Sequence, residues 1–109
     1  MSITINEIKA EVRRLDPSLK DKDKAFKAAV ALLAATCGLA PRPTGYMLTK
    51  VTGYPYSLVC GFVSQWKSSG VIESNKICCD WLNRRDRGIA FWCDVAVGLG
   101  YMRRKAAHE

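Results

Sequence analysis

The side chains best able to do chemistry in this chain are hydrogen-bond donors, acceptors and cations suited to recognition rather than to bond-making. If Val59, Phe62 and Trp66 line the inner face of one helix, the outer face carries Tyr56, Ser57, Cys60, Gly61, Ser64, Gln65 and Lys67. The Gln65 amide can pair bidentately with adenine, the Ser57 and Ser64 hydroxyls can bond bases or phosphates, and Lys67 adds one positive charge. Further along, Arg84, Arg85 and Arg87 form a basic cluster, and Arg42 and Lys50 are candidates for phosphate contacts. The outer face has no arginine to pair with guanine. Its Gly61 costs about 1 kcal/mol of helix stability relative to alanine unless something approaches closely there. A small groove around Cys60 and Gly61 would admit a thymine methyl or a partner's side chain.

Covalent and metal chemistry find no comparable set. The five cysteines (Cys37, Cys60, Cys78, Cys79, Cys93) include no C-x-x-C spacing, and the sole histidine, His108, sits beside Glu109. No Ser-His-Asp or Cys-His set, Gly-rich phosphate loop or H-E-x-x-H motif is present. The expectation is a protein that is not an enzyme and takes no metal or cofactor, with reduced cysteines acting as small apolar side chains. Cys78 and Cys79, adjacent on an expected strand, would point to opposite faces, which argues against a disulfide between them.

The elements that must position these groups can be read from pattern. A chain of 109 residues fits one domain, here 1–39 as N-terminal helices, 44–97 as the reading module and 98–109 as a basic tail. Thr4-Ile5-Asn6-Glu7 is a capping-box pattern, after which Ile5, Ile8, Val12 and Leu15 share one face; Asp16-Pro17 ends that helix. A second helix carries Phe26, Ala29, Val30, Leu33 and Cys37 at helical spacing, with Asp21 or Asp23 as N-cap and Gly38 as its stop. Ala40-Pro41-Arg42-Pro43 is a stiff connector. Thr44 then caps a short helix over 45–52, with Met47 or Leu48 and Val51 inward, and Gly53 turns the chain. Proline fits a first helical turn, so a fourth helix starts at Tyr54-Pro55 and runs to Ser69, with Val59, Phe62, Val63 and Trp66 as its apolar stripe. Gly70 stops it, and Val71-Ile72-Glu73 begins an extended run.

Short helix, glycine turn, second helix and then Gly70-Val71-Ile72-Glu73 resemble the winged helix-turn-helix superfamily over about residues 44–97. The resemblance implies a mainly α fold with a small β wing, the helix-turn-helix being preceded by two N-terminal helices. It also implies a transcriptional regulator bound to double-stranded DNA. Residues 77–82 and 89–95, rich in β-branched and aromatic side chains, would form the wing hairpin, with 83–88 as its basic tip. In such regulators a wing arginine often enters the minor groove, a role that falls here on Arg84, Arg85 and Arg87. Two alternatives stay open. Ile89, Trp92, Val95, Ala96 and Leu99 also fit a helical stripe, and three arginines in a turn also describe a solvated loop.

A formal charge of +7 favours an acidic partner, and the cations concentrate late, at Arg84/Arg85/Arg87 and Arg103/Arg104/Lys105. The alternative function is a winged-helix module that binds protein, of the kind small viral or mobile-element products use against a host complex. Tyr54 and Tyr56 would be its exposed anchors. A homodimer through the first two helices is one possibility; those helices completing a monomer's core is the other. The apolar stretches are too short to span a bilayer, and MSITINEIKAEVRR has no apolar leader, so the expectation is a cytoplasmic protein without a membrane partner.

Overall fold

Thr4 and Glu7 open the first helix by satisfying each other's backbone donors: the Thr4 N–H donates to Glu7 Oε1 at 2.9 Å, and the Glu7 N–H to Thr4 Oγ1 at 3.2 Å. The structure, a computed structural model, describes residues 4–77 apart from 16, 41 and 75; at 76 and 77 it describes the backbone alone. Helix α1 spans Ile5–Leu15 and buries Ile8 and Val12 completely, with Ile5 and Leu15 packed at the margin. Arg13 reaches out of it to Asp21, its Nε and Nη2 donating at 2.8 and 2.7 Å to the two carboxylate oxygens. Of the two acids read as possible caps, Asp23 takes the N-cap position of α2. Its side chain, however, accepts from the Lys20 N–H at 2.9 Å rather than capping the helix.

Helix α2 (Lys24–Thr36) departs from the expected stripe. Every residue from Ala28 to Thr36 is buried, and Phe26 with them, so the helix is enclosed around its circumference. The reason is visible in AAVALLAAT, a run without charge in which five alanines let neighbouring elements approach closely. Its single hydroxyl, on Thr36, donates to the Leu33 carbonyl at 3.1 Å. Bonds from the Gly38 N–H to Ala35 O and from the Leu39 N–H to Ala34 O close the last turn. Because one chain already buries Ile8, Val12 and this run, their apolar area does not call for a second copy.

Helix α3 (Gly45–Thr52) begins where expected, with Thr44 Oγ1 accepting from the Met47 N–H at 3.2 Å. Leu48 is its fully buried residue, while Met47 and Val51 pack at the edge. Gly53, at φ +78°, takes the left-handed conformation that ends α3. The turn is locked by threonines: Thr49 Oγ1 donates to the Tyr54 carbonyl, and the buried Thr52 hydroxyl donates to Leu48 O at 2.6 Å and accepts from the Tyr54 N–H at 3.2 Å.

Helix α4 spans Tyr56–Ser68, so Pro55 is its N-cap rather than its first helical residue. The proline carbonyl accepts from the Leu58 and Val59 N–H groups. Val59, Phe62, Val63 and Trp66 are its buried residues, as the stripe predicts, with Phe62 and Trp66 ring centroids 6.2 Å apart. Gly70, at φ +81°, lets the Val71 N–H return to Trp66 O at 2.9 Å and turns Val71 and Ile72 into the core.

Strand β1 (Ile72–Glu73) then pairs antiparallel with β2 (Lys76–Ile77), Ile72 opposite Ile77 and Glu73 opposite Lys76. The chain therefore reverses between Glu73 and Lys76, with Ser74 at φ +51°, a turn that the residue pattern does not announce. Ile77, expected to start the wing's first strand, pairs back onto Ile72. The rest of the expected wing (78–82, the tip at 83–88 and 89–95) and the tail 98–109 lie outside the described residues. Among the described elements α2 is central: α1 and α3 pack on it, α4 touches it, α3 and α4 pack on each other, and β1 sits against α4. The described fold is mainly α. No helix among the described residues is long and apolar enough to cross a membrane.

Candidate functional site

The i, i+3, i+4, i+7 stripe decides which face of α4 meets the core and leaves the opposite face to solvent. Tyr56, Ser57, Ser64, Gln65 and Lys67 are all exposed there, and Cys60 is half-buried among them. The structure thus brings together every α4 residue expected to make contacts. Arg42, in the connector, and Lys50, on α3, are exposed as well. Lys50 lies over the ring of Tyr46, its Nζ 5.3 Å from the centroid. Arg84, Arg85 and Arg87 lie outside the described residues.

A groove of ≈ 280 Å³ runs between the start of α3 and the middle of α4, lined by Thr44, Gly45, Cys60, Val63, Ser64 and Lys67. The expected cleft around Cys60 is therefore present, but Gly61 is not part of it. A Cβ at Gly61 would project into open space, so no neighbour requires glycine there. The close approach is at Gly45 instead. A Cβ on Gly45 would collide with Cys60 Sγ and stand 3.2 Å from the Tyr56 ring, so the missing side chain lets α3 and α4 close on each other. Nothing in a lone Gly45 after a threonine cap announces this, because the contact joins residues fifteen positions apart. Cys60 also hydrogen-bonds the Tyr56 side chain, which pushes the tyrosine pKa upward.

Two aromatic assignments change. Tyr54, expected as an exposed anchor, is half-buried, and its hydroxyl is enclosed without a hydrogen-bond partner among the described residues. Burial, reinforced by the field of Asp21 and opposed by that of Arg13, pushes its pKa up to about 12. Among the described residues the exposed large aromatics are Tyr46 and Tyr56, at 61% and 59%. Tyr46 is hard to single out in sequence because its place after the Thr44 cap suggests only a helix start.

Chemically, this face offers neutral hydrogen-bonding groups, two exposed tyrosines, a shallow groove and a flanking set of cations. Cys37 and Cys60, the two cysteines among the described residues, are thiols rather than halves of a disulfide. Compared with protein-family models, curated proteins and solved structures, the chain matches none, so its function is read from the side chains at this face.

Proposed function

We propose that this chain is a small DNA-binding transcriptional regulator of winged helix-turn-helix type, using α4 for base contacts and the basic segment 83–88 as its wing. The observation that carries the reading is the division of α4: one side is fastened by Val59, Phe62, Val63 and Trp66, and the other holds Ser57, Ser64, Gln65 and Lys67 in solvent. A recognition helix needs this combination, since contacts to base edges require side chains held at fixed spacing on a rigid backbone. The locked turn between α3 and α4 supplies that rigidity. Arg42 and Lys50 flank the face as phosphate contacts, and Gln65 is the residue best suited to adenine.

The test is binding to random duplex DNA by fluorescence anisotropy from about 50 to 200 mM salt, with an Arg84/Arg85/Arg87→Ala variant alongside. The expected result is a steep salt dependence whose log–log slope flattens in the variant by up to about 0.9 for each phosphate that the wing no longer neutralises. Absence of binding, or binding indifferent to the triple substitution, removes DNA recognition through the wing.

A second reading, a protein-interaction module, is favoured by the exposed Tyr46 of α3 and Tyr56 of α4, the latter with its ring beside the contact of Gly45 with Cys60. Tyrosine is a frequent interface anchor because it presents a large rigid surface with a polar tip. Under this reading Tyr46→Ala and Tyr56→Ala abolish capture of a protein partner, while the arginine variant retains it.

A further inference from the structure

Three cations and one carboxylate gather around Tyr54, in the turn that launches α4. Lys9 of α1 places its Nζ 5.4 Å from the ring centroid, and Lys27 of α2 places its own at 5.8 Å. Arg13 is engaged bidentately with Asp21, and the same carboxylate also feels the field of Lys9. The other acids at hand are committed elsewhere. Glu7 accepts from the Thr4 N–H, Glu11 pairs with Arg14, and Asp23 accepts from the Lys20 N–H. Among the described residues no carboxylate forms an ion pair with Lys9 or Lys27. The aromatic ring attracts both ammonium groups but adds no negative charge.

We infer that Lys9 and Lys27 form a phosphate-binding clamp beside the start of α4. Like charges drawn to one ring repel each other, and an anionic oxygen between or beside them offsets that repulsion. A lysine ammonium suits a phosphodiester because it is a point charge with three rotatable donors, indifferent to the planar geometry an arginine fork requires. The position fits a nucleic-acid backbone: Tyr54 is followed by Pro55 and then by the exposed Tyr56 and Ser57 of α4. A strand lying against α4 would run its phosphates past the two lysines. The clamp is assembled from α1, α2 and the α3–α4 turn, so it gives the N-terminal helices a part in binding beyond packing. It rests on the DNA-binding reading proposed above, although the shared chemistry, a phosphate oxyanion, is also offered by free phosphate.

The experiment uses the full chain as wild type, as Lys9→Gln/Lys27→Gln and as Lys20→Gln/Lys22→Gln, the last removing two exposed cations from the α1–α2 loop. Glutamine keeps most of the lysine stem while removing its charge, and circular dichroism with thermal melting checks that each variant is folded. Anisotropy with a random duplex is measured from about 50 to 200 mM salt, and melting is repeated with inorganic phosphate. The clamp predicts that the salt slope falls by about 1.8 in the Lys9/Lys27 variant, with binding weakened on the order of 10- to 100-fold near 0.1 M salt, and far less in the loop variant. Equal losses in both variants, or wild-type binding with an unchanged slope in the Lys9/Lys27 variant, overturn the clamp and leave the DNA-binding reading standing. If wild type ignores duplex but melts higher with phosphate, and the Lys9/Lys27 variant does not, the site is one for free phosphate and the DNA-binding reading fails. No response to either probe overturns both.

Discussion

Helices α2 and α4 are each thirteen residues long, yet one is enclosed on all sides from Ala28 onward and the other only along a stripe. Between Ala28 and Ala35 α2 offers solvent no polar side chain, so it belongs at the centre of the core. Helix α4 alternates Val59, Phe62, Val63 and Trp66 with Ser57, Ser64, Gln65 and Lys67, and packs on one side only. The difference separates two kinds of consequence. Change between Ala28 and Thr36 of α2 is felt as stability alone, whereas the outer face of α4 can change its chemistry while the fold stays intact.

The largest effect that sharpens this contrast is expected at the centre of α2. Leu32→Ala removes a fully buried side chain and should destabilise the protein by about 2–5 kcal/mol, while Gln65→Ala should stay within about 0.5 kcal/mol; urea unfolding of both reads the difference. Comparable losses in the two variants would break the comparison. Next comes the contact between α3 and α4. Gly45→Ala drives a methyl group into Cys60 Sγ and should cost about 1–3 kcal/mol, most of it recovered when Cys60→Ala is added. A double variant no more stable than Gly45→Ala would mean that the collision is not what glycine avoids.

The Tyr54 hydroxyl, enclosed in the turn before α4, provides a test in pH. Its neutral form is favoured in the folded state, with a pKa of about 12 against 10.0 for an ordinary tyrosine. The corresponding stability is therefore fully present below pH 10 and is lost as pH rises through 12, because the unfolded chain releases the proton first. Discounted for a half-exposed ring, the loss is about 1 kcal/mol. Tyr54→Phe should remove this alkaline decline and, by deleting an enclosed hydroxyl without a partner, raise stability near pH 7 by about 1 kcal/mol. Chemical denaturation at pH 7, 10 and 11.5 compares the two proteins. The smallest effect is on the outer face of α4: Gly61→Ala should stabilise by about 0.5–1 kcal/mol, since the new methyl meets nothing. A measured loss would show that glycine is required there for a reason internal to the fold.

Local chemistry makes much of this legible in advance. The capping box at Thr4 and Glu7, the Thr44 cap, the glycines at 38, 53 and 70 and the α4 stripe all act over a few residues, so their outcome follows from spacing. The reversal between Glu73 and Lys76 escapes such reasoning because the sequence Ser-Asn is a weak turn signal beside the Asn-Gly or Asp-Gly pairs that mark tight hairpins. Helix α2 looks like a stripe when its alanines count as neutral spacers, although small side chains are what permit burial on every side.

By itself, then, the amino-acid order determined that four helices form and, to within about two residues, where they begin and end, which side of α4 meets the core, and that the outer side carries serines, a glutamine and a lysine. These depend on backbone geometry and on the separation of apolar from polar positions, both short-range properties. Only the tertiary structure decided that Gly45 is held against Cys60, that Tyr46 rather than Tyr54 is exposed, and that Lys9 and Lys27 converge on the turn before α4. Each of those joins residues from different elements, and the physical reason is the same in every case. Such distances are set by how helices pack, and packing depends on the shape of all the side chains between them rather than on any local motif.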